Sequence, residues 1–270
     1  MKELLGTDFL YRRWDASPAK AVFLLVHGLG AHTARWDFLA SYFAARGFPS
    51  YALELRGFGR TPERPRGHVD SFDLYDRDIL ELRRLIGMEY PGRQVFLLGE
   101  SLGGLIVFNL AARNPDEFAG QVLIAPVFKN GLKFPLSSYL TLVLHILTNP
   151  RKTIAVPFTS AMCTRDAEYQ AVMDANPDEL REASLKLLME TLGGQRRAGR
   201  ETARTRVPVL FLVPGDDLLV DEKAGRKIFA KLGPVDKTII EYPDMRHALS
   251  IERGREGVFE DILGWTEKRI

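Results

Sequence analysis

The stretch from Gln94 to Asn114 constrains this chain more than any other. An apolar run, Val95-Phe96-Leu97-Leu98, leads into Gly99-Glu100-Ser101-Leu102-Gly103-Gly104, and Leu105, Ile106, Phe108 and Leu110 follow at helical spacing. This is G-x-S-x-G between a strand and a helix, the pattern of a nucleophile elbow. Such a serine must sit on a sharp, strained turn so that its hydroxyl stands clear of the sheet. Glycine at Gly99 and Gly103 lets strand and helix backbones pass close to that turn. The turn also aims the positive end of a helix dipole, with its free N–H groups, at any anion forming above Ser101. A bare G-x-S-x-G is common by chance; the flanking strand, the flanking helix and Gly104 make it specific.

Strand and helix patterns alternate around this stretch. Phe9 to Trp14 alternates weakly and is expected to form an edge strand. Ala21 to Val26 is continuously apolar, as in a strand buried on both faces of a parallel sheet, and ends in His27-Gly28-Leu29-Gly30. A helix is expected from Thr33 to Arg46, stopped by Gly47, then a strand from Ser50 to Leu55. Ser71 to Glu89 reads as an amphipathic helix whose N-terminal half is loaded with Asp73, Asp76, Asp78 and Glu81. After the elbow come a strand from Gln121 to Ala125, a long stretch without strand pattern, and a strand from Val207 to Val213. A helix from Asp221 to Lys231, a strand from Lys237 to Tyr242 and a helix from Arg255 to Arg269 complete the order. The expected fold class is α/β: a mostly parallel sheet with helices on both faces, interrupted by an insertion. A structureless loop of that length is improbable in a compact domain, so the insertion is expected to be a helical cap. The division is core at 1–128 and 207–270, cap at 129–206.

Composition adds exclusions. With 270 residues, a net charge of +2 and 27% charged side chains, the chain has no bias toward nucleic acid or polyanions. Cys163 is the only cysteine, which rules out an intrachain disulfide and fits a reducing compartment. The N-terminus carries acids and no apolar core of a signal peptide. The longest apolar run, Leu136 to Leu147, is too short and too polar for a membrane span, so a cytoplasmic location is expected. There is no H-E-x-x-H and no spaced Cys/His cluster, and the glycines at Gly28, Gly30, Gly57 and Gly59 do not complete a dinucleotide fingerprint; no metal and no cofactor are expected.

In an open α/β sheet, ligands bind beyond the carboxyl ends of the strands. The polar residues there are His27, Ser101, Asp216, Asp217 and His247. A serine hydroxyl needs an imidazole to take its proton and a carboxylate to hold that imidazole. The chain order Ser, Asp, His is the one the elbow motif predicts. Asp217 is favoured as the acid, because Leu218, Leu219 and Val220 can anchor its loop; Asp216 could instead cap the turn, and Asp221 is placed to N-cap the next helix. His247, the only histidine after the last strand, is favoured as the base over a plain loop histidine. His27 is expected to brace its loop, and His32, His68 and His145 to lie on the surface or in the cap. The oxyanion hole needs two backbone N–H groups, one from Leu102 and one from the loop after His27, with Leu29 favoured.

Taken together, these residues resemble the α/β-hydrolase superfamily, and within it the monoacylglycerol lipase and lysophospholipase-like branch, whose relatives are often labelled serine aminopeptidase. The resemblance covers nearly the whole chain. It rests on His27-Gly28-Leu29-Gly30, on Arg56-Gly57-Phe58-Gly59-Arg60 followed by Arg66-Gly67-His68-Val69, on the elbow, on Gly215-Asp216-Asp217 through Asp221, and on His247. It implies Ser101 as nucleophile, Asp217 as acid, His247 as base, Leu29 and Leu102 as oxyanion donors, and an acyl tunnel formed by the cap. Glu100 departs from the pattern, since many relatives have histidine there.

The leading expectation is a serine carboxylic-ester hydrolase acting on monoacylglycerols or lysophospholipids through an acyl-enzyme intermediate. The alternatives are an N-terminal-residue serine peptidase, a small-ester carboxylesterase, and a hydrolase-fold binding protein without turnover. A peptidase would need cap acids to hold a free amine, for which Asp166, Glu168, Asp174 and Asp178 are available. The cap is instead rich in apolar residues, of which Leu136, Leu140, Leu144 and Phe158 are expected to line the acyl pocket. Some of these must form the cap's own small core. The excess, apolar around most of a helix, can line a pocket or touch a lipid surface transiently. The expected partner is a small acyl ester; the sequence does not indicate an oligomeric state.

Overall fold

In the computed structural model the residues described are 9–131, 145, 148–233 and 236–270. Seven strands form one sheet in the order β1-β3-β2-β4-β5-β8-β9: β1 (Tyr11–Trp14), β2 (Val22–Val26), β3 (Ser50–Leu53), β4 (Val95–Glu100), β5 (Gly120–Ile124), β8 (Val209–Pro214) and β9 (Lys237–Tyr242). Only β1 runs antiparallel to its neighbour; the other six strands are parallel.

The continuous apolar runs belong to strands covered twice. In β2, Val22, Leu24 and Val26 enter one apolar cluster, while Phe23 and Leu25 enter the other. The first cluster lies under α2 (Phe72–Glu89) and α3 (Leu102–Arg113), through residues such as Ile79, Leu82, Leu105 and Leu110. The second lies under α1 (Asp37–Ala44) and the C-terminal helix (Arg255–Glu267), through Leu39, Phe43, Phe259 and Ile262. Such two-sided burial follows from parallel strands joined by crossover helices.

Local differences from the sequence reading have identifiable causes. The expected helix from Thr33 begins as a 3-10 turn, Thr33–Trp36, with the His32 side chain accepting the Ala34 N–H. Ser71 caps α2 by accepting the Asp73 N–H. Asp76 and Asp78, read as part of a polar helix face, are buried instead. Asp76 pairs with Arg113 at 2.6 Å, and Asp78 is gripped by Arg56 at 2.7 and 2.8 Å. An i, i+3 or i, i+4 pattern cannot show a partner that comes from a distant loop.

Between β5 and β8 the chain leaves the sheet. Helices α4 (Ser160–Cys163), α5 (Ala167–Ala175) and α6 (Leu185–Glu201) are as expected in kind. An antiparallel pair, β6 (Thr153–Ala155) with β7 (Glu182–Ser184), corrects the reading of this insertion as helices and loops alone. Three-residue strands are too short for alternation to register, and their pairing is non-local. Leu136, Leu140 and Leu144, expected to line a pocket, lie outside the described residues.

His32 and His68, expected at the surface or in the cap, are buried in the core and fasten the insertion to it. His68 Nδ1 is 2.9 Å from the Ser184 hydroxyl, and His32 Nε2 is 3.0 Å from the Asn176 amide. The Leu180 N–H donates to the Gly30 carbonyl at 2.8 Å, and the Ser184 N–H to that of Gly67 at 2.8 Å. The R-G-x-G and R-G-H-V loops thus form the seat of the insertion.

The elbow crossing is among the tightest backbone approaches of the described residues. A Cβ on Gly103 would lie 2.1 Å from the Val26 carbonyl oxygen. Gly199, in α6, has open space around its Cα. Gly103→Ala is therefore expected to lower stability by at least about 3 kcal/mol or prevent folding, at the upper end of overpacking effects. Gly199→Ala should raise it by about 0.5–1 kcal/mol through helix propensity. Urea unfolding midpoints of the two variants check both signs.

Candidate active site

Ser101 sits between the end of β4 and the start of α3 with φ 57° and ψ −115°. Among the described residues only Ser101 and Ala125, at the carboxyl ends of neighbouring strands, have positive φ without being glycine. Backbone bonds hold the strained turn: the Ser101 N–H donates to Ile124 O at 2.9 Å, and its carbonyl accepts from Leu105 and Val127, each at 3.1 Å. A Cβ on Gly28 would lie 3.1 Å from the Ser101 Cβ, so the loop after β2 passes beside the serine on a glycine.

His27 braces that loop. Its Nε2 accepts the Leu55 N–H at 3.0 Å, so Nδ1 carries the proton and donates to Gly28 O at 2.8 Å. The Glu54 carboxylate 3.5 Å from Nε2 is engaged elsewhere, with the N–H and hydroxyl of Thr33. His27 is thereby a neutral strut between the two loops. Leu29 and Leu102 both border the same cavity as Ser101, and neither backbone N–H has an acceptor among the described residues.

Asp217 and His247 meet. The His247 Nδ1–H donates to Asp217 Oδ2 at 2.8 Å, which leaves Nε2 as the proton-accepting nitrogen of the neutral ring. Asp217 Oδ1 accepts the N–H groups of Leu219 and Val220 at 2.8 and 3.1 Å, an Asx turn that locks the carboxylate. Asp216 points away and pairs with Arg246 at 3.3 Å, half-exposed. Asp221 caps the helix Glu222–Lys231 by accepting the Ala224 N–H.

Burial opposes charge on both partners and is outweighed on both. Burial pushes the Asp217 carboxyl up, but His247 and the two turn N–H groups bring it below the ordinary range. Burial pushes the His247 imidazole down, but the Asp217 charge and hydrogen bond, with the Glu100 charge, lift it above the ordinary histidine value. The pair therefore keeps Asp217 ionised, makes the His247 ring more basic than an ordinary histidine and holds it in one orientation.

Ser101 and His247 open on a cavity of about 840 Å³. Its walls include Ile154, Val156, Phe158, Leu185, Leu188 and Leu192. Phe158, expected to line an acyl pocket, is one of these wall residues. The wall from α6 was not anticipated, although Leu185, Leu188 and Leu192 repeat at i, i+3, i+7 and could have marked it. Arg35 and Glu100 also line the cavity, and Lys152 stands at it beside His145, 2.8 Å away. Arg35 is buried and bidentate to Glu179 at 2.6 and 2.7 Å, an ion pair between core and insertion that no local pattern signals.

The acids available to a peptidase are used elsewhere. Asp166 pairs with Arg255, Asp174 with Arg181 and Asp178 with Arg60; Glu168 is exposed, and none of the four lines the cavity. Among the described residues no cluster of three metal-binding side chains occurs, and no helix is long and apolar enough to cross a membrane.

Comparison with known proteins places this geometry. The family model described as serine aminopeptidase, S33 matches residues 17–254. The human monoglyceride lipase is 30% identical over 100% of this chain and 91% of its own length. The monoacylglycerol lipase of Mycolicibacterium smegmatis is 28% identical over 98% of this chain and 95% of its own. Among solved structures, the monoacylglycerol lipase of Paleococcus ferrophilus superposes with a TM-score of 0.88 at 26% identity, covering 98% of this chain and all of that one. The chain belongs to the serine aminopeptidase S33 family of α/β-hydrolases, in its monoacylglycerol lipase-like branch, and is an enzyme of the serine hydrolase type.

Proposed function

We propose that the protein hydrolyses lipid-like monoesters, monoacylglycerols or lysophospholipids, with Ser101 as nucleophile, His247 as base and Asp217 as acid. The observation that carries this reading is the conjunction of a buried Asp217–His247 bond of 2.8 Å with a strained serine on the same large, apolar-walled cavity. A binding protein gives no reason to maintain a strained serine beside a buried, ionised Asp217 bonded to His247.

In this mechanism Ser101 Oγ attacks the ester carbonyl carbon as its proton passes to His247 Nε2. The oxyanion is received by the Leu29 and Leu102 N–H groups and by the N-terminal dipole of α3. The imidazolium then donates its proton to the departing alcohol, leaving an acyl-enzyme. A water, deprotonated by the same nitrogen, releases the fatty acid. Asp217 stays ionised throughout and holds Nδ1–H.

The chain divides in this reading into a core at 1–128 and 207–270 and a cap at 129–206, which fits the end of β5 at Ile124 and the start of β8 at Val209. The apolar walls from the insertion, α6 among them, receive the acyl chain. The names of the relatives, monoglyceride and monoacylglycerol lipases, agree with this substrate class. The peptidase reading is disfavoured because the cap acids are paired or exposed outside the cavity. A small-ester preference is disfavoured because acetate would leave about 840 Å³ largely unfilled.

Each buried methylene contributes about 0.8 kcal/mol, so acyl length should govern efficiency. With glycerol or p-nitrophenyl esters, kcat/KM is expected to rise from acetyl to at least octanoyl, and aminoacyl amides to be poor substrates. A preference for acetyl esters or fast release of N-terminal amino acids contradicts the substrate class. Asp217→Asn should lower kcat by about 10⁴-fold, since the acid acts with the serine and histidine as a unit. Asp216→Asn, which removes only a partly exposed pairing with Arg246, should lie close to wild type. Equal losses would contradict the choice of acid.

A further inference from the structure

Glu100 joins the two halves of the site. It ends β4 one residue before Ser101, is 5% exposed and lines the cavity. Its Oε1 accepts the Ser250 N–H at 3.2 Å, and its Oε2 accepts the Ser250 hydroxyl at 3.1 Å. Ser250 follows His247 by three residues. A carboxylate on the elbow strand thus grips the loop that carries the imidazole.

A second buried carboxylate holds the same loop from its other side. Glu252, fully buried, accepts the N–H groups of Arg246 at 3.0 Å and Arg253 at 2.8 Å. It also accepts the Thr164 hydroxyl at 3.1 Å and the Arg165 N–H at 3.0 Å, from the insertion. The residues flanking His247 are therefore tied to the elbow by Glu100 and to the insertion by Glu252.

The two differ in what they face. The groups around Glu100 are His247 on its own loop, Arg35 from the 3-10 turn, and Cys163 and Tyr169 from the insertion. Arg35 already spends its bidentate fork on Glu179, and no basic side chain bonds to Glu100 among the described residues. A buried carboxyl without a bonded cation is costly unless neighbours compensate. Here the two Ser250 donors, the nearby Arg35 and His247, whenever its ring is protonated, oppose that cost.

We propose that Glu100 is a positioning residue for His247. Its grip on Ser250 holds the His247 loop over the elbow, and its negative charge favours the imidazolium that forms when the Ser101 proton is transferred. The proposal rests on reading Ser101 and His247 as nucleophile and base. It gives the base two carboxylates with separate duties: Asp217 bonds the ring, and Glu100 sets the loop and the local field. Burial pushes the Glu100 carboxyl itself up, against the pull of His247, Arg35 and Ser250. Its charge is one of the influences that lift the imidazole.

Glu100→Gln keeps the size of the side chain and an acceptor for the Ser250 N–H while removing the charge. Its melting temperature should stay close to wild type, while kcat on a medium-chain ester falls about tenfold with KM little changed. A negative neighbour stabilises the protonated ring, so its removal must move the acidic limb of kcat/KM to lower pH. The His247 ring, followed by NMR and assigned with His247→Gln, should titrate at lower pH in the same variant. Glu100→Asp keeps the charge but is a methylene too short to hold Ser250. It should lose kcat while its acidic limb stays nearer to wild type than that of Glu100→Gln. The ring titration does not depend on which ester is cleaved, so a wrong substrate class leaves this test intact. Glu100→Gln with wild-type kcat, or with the His247 ring titrating as in wild type, overturns the proposal.

Discussion

The structure depends on one backbone crossing, where the first turn of α3 passes over the end of β2. Gly103 meets the Val26 carbonyl so closely that a Cβ would stand 2.1 Å from its oxygen, and a Cβ on Gly99 would stand 2.5 Å from the Gly103 carbonyl. The crossing forces Ser101 to φ 57°, a conformation costing on the order of 1–3 kcal/mol. Bonds to Ile124, Leu105 and Val127 hold the turn there, tying the elbow to β5, to its own helix and to the segment that follows β5. The same closeness brings the glycine loop after β2 alongside the serine. Sheet order, loop position and helix dipole thus converge on one hydroxyl.

Apart from Glu100, the buried carboxylates nearest the cavity are held in fixed pairs. Asp217 spends one oxygen on its own turn and the other on His247, so the imidazole cannot rotate without breaking a charge-assisted bond. Arg35 and Glu179 form a buried bidentate pair across the junction of core and insertion. Such a pair is weak evidence for stability, because desolvation offsets most of its attraction, yet breaking it would strand a buried charge. It is one of the contacts that fasten the insertion to the core beside the cavity, alongside those of His32 and His68.

Much of this was legible in the sequence because it is local. The alternating burial of β2 appears as Val-Phe-Leu-Leu-Val, the elbow as three glycines around a serine, and the Asp221 cap as an aspartate before a helix. Asp217 could be favoured over Asp216 because apolar neighbours anchor its loop, and it is the aspartate that meets His247. What escaped detection depends on distant partners. Asp76 and Asp78 look solvated until Arg113 and Arg56 arrive from other elements, and β6 and β7 exist only because two short segments find each other. His32 and His68 gain their meaning from Asn176 and Ser184, more than a hundred residues away.

The central claim is that the elbow holds one activated serine. Intact-protein mass spectrometry after exposure to a fluorophosphonate, followed by peptide mapping, tests it most directly. The account predicts a single adduct on Ser101 that is absent from folded Ser101→Ala. A labelled residue elsewhere in the chain, or persistent labelling of Ser101→Ala, would contradict it.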